Sequence, residues 1–223
     1  MKSIGQIDSI ILRKDSFESL FEDKRNYNIQ TVKSVGIFEP KEWIKAFKKK
    51  LNQSILEAKI LHTSTGLTLP LKRYNRTPIK QSLDIGGLYG YDEKSDLLNG
   101  FFNDNILELM ECEVRRIDIC FDFIRIPNRI IKKLSEKRKA FKFKNTTYYK
   151  TLKEKKTNDT MDIKTYNKQR ESKLFEPLER LEFCFKGSYF EQGTKLKNLD
   201  KKLLQKMEKS ILKFSSIKAK IPL

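Results

Sequence analysis

The sequence contains little histidine, cysteine, glycine or proline, and each shortage excludes a class of protein. His62 is the single histidine among the 223 residues, which excludes metal sites built on paired histidines, zinc-hydrolase signatures included. The three cysteines, Cys112, Cys120 and Cys184, are too scattered for a disulfide framework or a zinc knuckle, so we interpret them as buried thiols in a reducing compartment. The nine glycines and six prolines form no linker-like stretch, which favours one compact unit.

Long apolar runs are absent as well. No stretch approaches the ~20 residues needed to cross a bilayer, and the amino-terminal MKSIGQIDSIIL is interrupted by Asp8, unlike a signal peptide. The glycine-rich LDIGGLYGYD (83–92) matches neither a Walker loop nor a dinucleotide fingerprint and predicts a bulge or hairpin. A hydrophobic content of 38% with 11% aromatic residues indicates a globular chain. We therefore expect a soluble, cytoplasmic protein with no membrane partner.

The charge is strongly positive and unevenly distributed. The chain carries 47 Lys and Arg against 29 Asp and Glu, a net charge of +18. Residues 124–173 hold 17 basic against 5 acidic side chains, whereas residues 1–123 are nearly balanced at 19 against 18. Concentrated positive charge attracts polyanions and releases their counterions, so the second half of the chain is predicted to bind nucleic acid. The alternative is a lysine-rich surface that only keeps the protein solvated.

The spacing of apolar residues predicts an α+β fold, mainly an antiparallel sheet with a few flanking helices. Helices are predicted from Pro40 to about residue 55, from Ser95 to 110, from Pro127 to about 140, and over 199–214. His62 is placed where the first helix gives way to a turn. Residues 1–190 are interpreted as one α+β domain that could divide into similar lobes, 1–112 and 113–190, and 191–223 as a basic helical tail. The predicted strands are 4–12, 28–38, 67–74, 82–91, 114–124, 141–150, 161–168 and 179–186.

Two of the predicted strands share one pattern of charged residues. In RRIDICFDF (115–123) and in ERLEFCFKG (179–187), an arginine is followed two positions on by an acidic residue and two further on by a cysteine. Because side chains alternate along a strand, the apolar residues of each segment face one way and the polar residues the other. If the strands are neighbours, Asp118 and Glu182 can lie on the same face at the same depth.

Two carboxylates in that position repel each other unless a positive group lies between them. A divalent cation such as Mg²⁺ or Mn²⁺ suits this environment, because hard ions prefer carboxylate oxygens. The alternative is that Arg116 and Arg180 pair with the carboxylates across the strands. Asp122 lies ~13 Å along its strand from Asp118, so it is predicted to support the site rather than to bind the ion.

The segment MDIKTYNKQRES (161–172) lies between the two acidic strands in the most basic part of the chain. Tyr166 ends its alternating stretch and is followed closely by Lys168, Arg170 and Glu171. A tyrosine among cations can attack a phosphate, since nearby Lys, Arg or a metal favours the phenolate over the phenol, whose ordinary pKa is ~10. The same cations can neutralise charge that develops on a phosphate oxygen.

In this order, RRIDICFDF, TYNKQRES and ERLEFCFKG resemble the plasmid rolling-circle replication initiators of the transposase-like Rep family, which are related to the replication endonuclease of filamentous phages. Members of that family have an Arg-hydrophobic-Asp strand ending in Asp-Phe, a Tyr-Asn-Lys or Tyr-Asp-Lys segment ending in Glu, and an Arg-hydrophobic-Glu strand. The resemblance covers residues 115–187 and continues faintly through 95–111. It implies a metal-dependent, site-specific DNA nickase that forms a 5′-phosphotyrosine, frees a 3′-OH for a polymerase and can rejoin the strand.

The resemblance also implies roles for the matching residues. Tyr166 would be the nucleophile of a nicking domain over 1–190, Lys168 and Glu171 would assist at the phosphate, and Asp118 and Glu182 would hold Mg²⁺ or Mn²⁺. The expected partners are origin DNA, single-stranded or extruded as a hairpin, a host helicase and polymerase, and a second copy of the chain. The supporting residues would be Asp122, Arg116 and Arg180. The basic residues predicted to contact DNA are Lys164, Arg170, Lys153, Lys155, Lys156, Lys132, Lys133 and Arg138.

Two other functions fit the same sequence. A non-catalytic DNA-binding protein would keep the sheet and the basic surface without the chemistry. A hydrolytic, metal-dependent nuclease would use water as the nucleophile, with Tyr166 stacking on a base. The matched acidic pair with a tyrosine between its strands favours the nickase, because positive charge alone requires neither feature.

Overall fold

The computed structural model of the protein describes residues 2–21, 27–33, 55–62, 68–74, 80–151 and 160–222. The helices within these ranges are α1 (Glu93–Asp104), α2 (Ile106–Met110), α3 (Asn128–Lys137), α4 (Lys168–Ser172) and α5 (Lys201–Ser215), with short 3-10 turns at Glu18–Phe21, Gly187–Tyr189 and Leu196–Asn198. The strands are β1 (Lys2–Ile4), β2 (Gln6–Lys14), β3 (Tyr27–Lys33), β4 (Ile55–His62), β5 (Thr68–Tyr74), β6 (Lys80–Gly86), β7 (Glu113–Phe123), β8 (Arg138–Phe143), β9 (Thr146–Thr151), β10 (Met161–Asn167), β11 (Glu179–Lys186) and β12 (Lys218–Lys220).

Ten of these strands form one sheet in the order β3-β4-β5-β6-β2-β7-β11-β10-β9-β8. Every neighbouring pair is antiparallel, which confirms the predicted α+β class. The sheet consists of two halves, β2–β6 and β7–β11, which have the same strand order. In each half the first strand, β2 or β7, pairs with the last strand of the four-strand meander that follows it. The halves join where β2 pairs with β7.

One face of the sheet is apolar, because alternate residues of its central strands are large hydrophobes. Ile117, Ile119 and Phe121 of β7 are at most 2% exposed, and Ile119 lies opposite Phe183 of β11. Each such side chain contributes ~1.5–3 kcal/mol when it leaves water. Helices α3 and α5 add to this core with buried Ile130, Leu134, Met207 and Ile211.

The carboxyl-terminal segment belongs to the same core, although the sequence predicts a basic tail. Helix α5 begins after Asp200, whose side chain accepts a hydrogen bond from the Leu203 amide at 2.7 Å, and it buries Leu204 and Met207. β12 then pairs in parallel with β1, at the other end of the chain. None of the helices in the described ranges is long and apolar enough to cross a membrane.

Several predicted boundaries are corrected by the structure. The single strand predicted at 141–150 is a hairpin of β8 and β9, because the chain reverses at Lys144, whose φ is +52°. The helix from Pro127 ends at Lys137 rather than near residue 140. The strand predicted at 82–91 ends at Gly86, where the next residue, Gly87, has φ +93°.

Two of the helix predictions differ from the structure at their ends. Ile55 was expected to end a helix but begins β4, so His62 ends a strand rather than a helix; the predicted helix residues before Ile55 lie outside the described ranges. The helix expected to start at Ser95 begins at Glu93, since Asp92 caps it by accepting the Ser95 amide at 3.1 Å. Strands 179–186 and 161–168 agree with β11 and, within one residue, with β10.

Candidate active site

Three neighbouring strands, β7, β11 and β10, carry the candidate site on the polar face of the sheet. Their antiparallel register places Lys164 opposite Glu182 and Tyr166 opposite Arg180. Residues that pair directly across antiparallel strands point to the same face. The side chain of Tyr166 therefore shares a face with Glu182 of β11 and, because β11 pairs in turn with β7, with Asp118 of β7.

The two similar motifs run in opposite directions, and this changes the predicted position of the acidic pair. Asp118 lies opposite Cys184, and Glu182 lies opposite Cys120, so the two carboxylates are diagonal neighbours rather than residues at one depth. They remain close: one ligand atom from each of Asp118, Glu182 and Cys184 lies within 4.8 Å of the others. Both acidic residues are 1% exposed.

Two cations neutralise this acidic pair. Arg116 donates from Nε to Asp118 Oδ1 at 2.6 Å and from Nη2 to Asp118 Oδ2 at 2.5 Å. Lys164 Nζ lies 2.7 Å from Glu182 Oε1, and the other oxygen, Oε2, accepts the Tyr166 hydroxyl at 3.1 Å. Of these residues, Lys164 was predicted only as a DNA contact. A register prediction would have been needed to place it against Glu182.

Burial controls the protonation of these groups. It raises the pKa of Asp118 to about 7, and the negative charge of Glu182 adds to this effect while Arg116 opposes it. Burial acts in the same direction on Glu182, but Lys164 outweighs it, so the pKa of Glu182 is lowered. Burial, with Glu182 next, raises the pKa of Tyr166 above its ordinary value. The prediction that nearby cations lower this pKa is therefore wrong for the residues described.

A second charged cluster lies beside the first. Arg180, which is fully buried, donates from Nε and Nη2 to the two oxygens of Asp122, each at 2.7 Å. Its Nη1 donates to Asp8 Oδ1 at 2.7 Å and to the Tyr89 carbonyl at 3.0 Å. Tyr91 closes the cluster by donating its hydroxyl to Asp122 Oδ2 at 2.6 Å. The alternative raised by the sequence, that both arginines pair across the strands with Asp118 and Glu182, is observed only in part. Arg116 pairs with Asp118 of its own strand and lies 3.9 Å from Glu182, whereas Arg180 pairs with Asp122 and Asp8.

Asp8 is the buried acidic residue that sequence reasoning missed. It sits at an irregularity of β2, since Ile7 and Ser9 pair with Ile119 and Asp118, which are adjacent in β7. Such bulges re-aim a side chain and are common beside active sites. The sequence offered one signal, an aspartate that interrupts an apolar strand, but only the fold brings it to Arg180.

Lys168 and Glu171 follow Tyr166 on α4 and contact each other. Lys168 Nζ donates to Glu171 Oε2 at 2.7 Å. The helix begins there because Asn167 caps it, accepting the Arg170 amide at 2.7 Å. Lys168 is 8% exposed, while Arg170 is exposed to solvent. The pair thus lies at the end of β10, one turn from the phenol.

The predicted DNA contacts are divided by the fold. Lys132 and Lys133 lie on α3, which packs on the apolar face opposite Tyr166, and Lys133 Nζ donates to Ser216 Oγ at 2.6 Å. Arg138 is 4% exposed and donates to the carbonyls of Tyr149 and Met161, so its prediction as a DNA contact is corrected to a structural role. The predicted contacts at Lys153, Lys155 and Lys156 lie outside the described residues.

The donor set of the acidic pair fits a hard divalent cation. Two carboxylates are available, and burial raises the pKa of Cys184 above its ordinary value, which leaves a neutral thiol that is a poor ligand for Mg²⁺ or Mn²⁺. Arg116 and Lys164 already balance the two negative charges. An ion bound by Asp118 and Glu182 would therefore release these two cations for another anion.

No protein-family model and no curated protein matches the chain. Among solved structures, the chain is similar to that of the rolling circle replication initiator protein from Geobacillus stearothermophilus. The identity is 13%, the match covers 82% of this chain and 74% of that chain, and the TM-score is 0.44. A likeness of this size shows neither a shared family nor a shared chemistry.

Proposed function

We propose that the chain is a rolling-circle replication initiator that nicks and joins DNA through Tyr166. The observation that carries this proposal is the hydrogen bond of 3.1 Å from the Tyr166 hydroxyl to Glu182, whose carboxylate lies within 4.8 Å of a ligand atom of Asp118. A candidate nucleophile, a proton acceptor and an acidic pair suited to a metal ion are thus adjacent. The order of the three motifs in the resembling Rep family supports the same chemistry.

The reaction would exchange one phosphate ester for another. Tyr166 Oη attacks the phosphorus of a DNA phosphodiester and passes its proton to Glu182 Oε2. The bond from phosphorus to the 3′ oxygen breaks, and that oxygen takes a proton from Lys168 or water. The products are a 5′-phosphotyrosine and a free 3′-OH, and attack by a 3′-OH on the phosphotyrosine reverses the step without ATP.

The cations of the site would hold the phosphate. Asp118 and Glu182 would hold Mg²⁺ or Mn²⁺, which supplies Lewis-acid polarisation of the phosphoryl oxygens when bound. Arg116 and Lys164, released from the carboxylates, can then contact the phosphate, and Lys168 and Glu171 lie beside it at the start of α4. Charged donors aimed at a developing oxyanion contribute ~10²–10³-fold to rate.

The raised pKa of Tyr166 is compatible with a mechanism in which the hydroxyl loses its proton to Glu182 during the attack on phosphorus. Burial and the charge of Glu182 keep the phenol protonated, so the proton must leave as the new bond forms. A positive phosphate-binding environment favours that transfer, because the phenolate charge develops next to cations. Glu182 is the acceptor in contact with the hydroxyl in the structure.

The decisive experiment separates nicking by tyrosine from hydrolysis and from simple binding. Supercoiled DNA carrying the coding sequence and its flanks is incubated with the protein and Mg²⁺ or Mn²⁺, then run on denaturing gels with and without protease digestion. The proposal requires a nicked strand that bears protein at its 5′ end until protease removes it. A nick without attached protein would instead indicate a water-using nuclease, and retention of DNA without a nick would indicate a binding protein.

A further inference from the structure

Exposed aromatic side chains lie on the outermost strands of the half-sheet that carries Tyr166. Phe141 and Phe143 of β8 are 52% and 55% exposed, and β8 ends the sheet order among the described strands. Phenylalanine buries ~150–250 Å² when it packs, and apolar side chains on a sheet edge favour aggregation. Both rings are therefore open to a ligand that packs on this edge of the sheet.

The strand register places these aromatics on the same face as Tyr166. Tyr166 lies opposite Thr146 of β9, and Thr146 lies opposite Phe143. Phe141 lies opposite Tyr148, which is two residues from Thr146 on the same face. Two strand spacings of ~4.8 Å separate Phe143 from Tyr166. That distance, ~10 Å, equals about three stacked bases at ~3.4 Å each.

Positive charges surround this aromatic strip, which we define as Phe141, Phe143 and Tyr148. Lys150 Nζ lies 5.5 Å from the centre of the Phe141 ring, and Lys144 Nζ lies 5.7 Å from that of Phe143. A groove of about 300 Å³ is lined by the strip together with Tyr149, Lys150, Asp162 and Ile163, and the carboxylate of Asp162 is paired with Lys186. The whole segment 124–173 holds 17 basic against 5 acidic residues, so the strip lies in the part of the chain with the greatest excess of positive charge.

We propose that the aromatic strip stacks unpaired bases of the DNA strand whose phosphate reaches Tyr166. Aromatic rings within a positive groove suit single-stranded nucleic acid, because each base offers a π-face and each phosphate a negative charge. Bases in a duplex are already stacked on one another, so they gain nothing from the rings. A second copy of the chain fits this surface poorly, since both copies would present lysines to each other. This proposal rests on the proposed function, because it concerns the same DNA strand.

The test compares single-stranded and duplex DNA of one sequence. Fluorescence anisotropy measures the affinity of a labelled single-stranded oligonucleotide and of its duplex at fixed salt without divalent metal. The double substitution Phe141→Leu with Phe143→Leu keeps the surface apolar but removes the rings. We expect it to weaken single-strand binding by about 10-fold or more, since stacking contributes about 5- to 160-fold per base, and to change duplex binding less than about 2-fold. The matched control, Phe141→Tyr with Phe143→Tyr, keeps both rings and should bind as the wild type does.

Each other outcome overturns the proposal. Unchanged single-strand affinity in the leucine variant would show that the rings do not stack on bases. An equal loss of affinity for the single strand and the duplex would indicate that the variant lost only phosphate contacts or that its fold is damaged. Circular dichroism detects a damaged fold. A dimer in light scattering that the leucine variant dissociates would show that a second copy covers the strip. Because the assay measures binding without divalent metal, its result does not depend on whether the protein nicks DNA.

Discussion

The two halves of the sheet have the same strand order but different chemistry. In one half, β5 ends in Lys72-Arg73-Tyr74 and Asn75 follows it; in the other, β10 ends in Lys164-Thr165-Tyr166-Asn167. Both strands pair with the last strand of their half, yet Lys72 lies opposite Ser82 whereas Lys164 lies opposite Glu182. A Lys-x-Tyr-Asn strand therefore does not make a site by itself. Each lysine has an acidic residue opposite it on one neighbouring strand, Glu57 of β4 for Lys72 and Glu182 of β11 for Lys164. The carboxyl-terminal half is distinguished by the second carboxylate, Asp118, which offers a ligand atom within 4.8 Å of one of Glu182.

The largest effect is expected when the corresponding tyrosines of the two halves, Tyr166 and Tyr74, are substituted. Tyr166→Phe should lower the covalent protein–DNA product by on the order of 10³-fold or more, since it removes the proposed nucleophile. Tyr74→Phe is the matched control in the other half and should leave the product within about 2-fold, because the acidic pair and its cations lie on β7, β10 and β11. Denaturing gels of the nicked strand measure both variants. Equal losses would mean that Tyr166 has no special role.

The next effect concerns the acidic pair. Glu182→Gln and Asp118→Asn should each lower nicking by ~10²–10³-fold while binding of the same DNA in a metal chelator changes only a few-fold. The reason is that in the proposed mechanism the carboxylates would hold the ion and accept the proton, whereas binding would depend on the basic residues. Ser82→Ala, at the position of Glu182 in the other half, is the control for both measurements. Parallel losses of nicking and binding would argue against a metal role.

A third comparison concerns stability rather than activity. Arg180→Met should lower the free energy of unfolding by ~3–5 kcal/mol, because it leaves Asp8 and Asp122 buried without their cation. Lys80 lies opposite Tyr74 as Arg180 lies opposite Tyr166, but Lys80→Met should cost at most about 1 kcal/mol. Its partner Glu113 keeps the contact with Arg13, and all three side chains are partly exposed. Urea unfolding of both variants tests whether the buried cluster stabilises the fold more than the partly exposed one does.

The sequence predicted the strands of the site better than their pairing. The alternation in 115–123 and 179–187 identified β7, β11 and their polar face, because alternation with a period of two does not depend on which strands lie beside them in the sheet. Direction and register depend on the whole sheet, so the diagonal offset of Asp118 from Glu182 could not be read from the two motifs.

Contacts between residues far apart in the sequence could not be predicted either. Asp8 meets Arg180 across 172 residues, and no local pattern specifies such a pair. Arg138 illustrates the opposite error. Its charge suggested a DNA contact, whereas its place in the hairpin directs its guanidinium to the carbonyls of Tyr149 and Met161. Charge composition predicts where a positive field lies but not which of the basic side chains are buried in contacts within the protein.

The smallest expected effect lies where the halves join. Glu113 of β7 contacts Arg13 of β2 and Lys80 of β6, and these two cations lower its pKa although burial acts to raise it. A carboxylate with a lowered folded-state pKa stabilises the protein above its unfolded-state pKa, ~4.3, and this contribution disappears as the pH falls through the folded-state value. Glu113→Gln should therefore be less stable than the wild type by about 1 kcal/mol at pH 7, with a difference that shrinks below pH ~4. Urea unfolding at several pH values measures this, and Glu136→Gln, which removes an exposed carboxylate on α3, should show no such trend. A difference that grew in acid would mean that the contacts of Glu113 do not bind the two halves together.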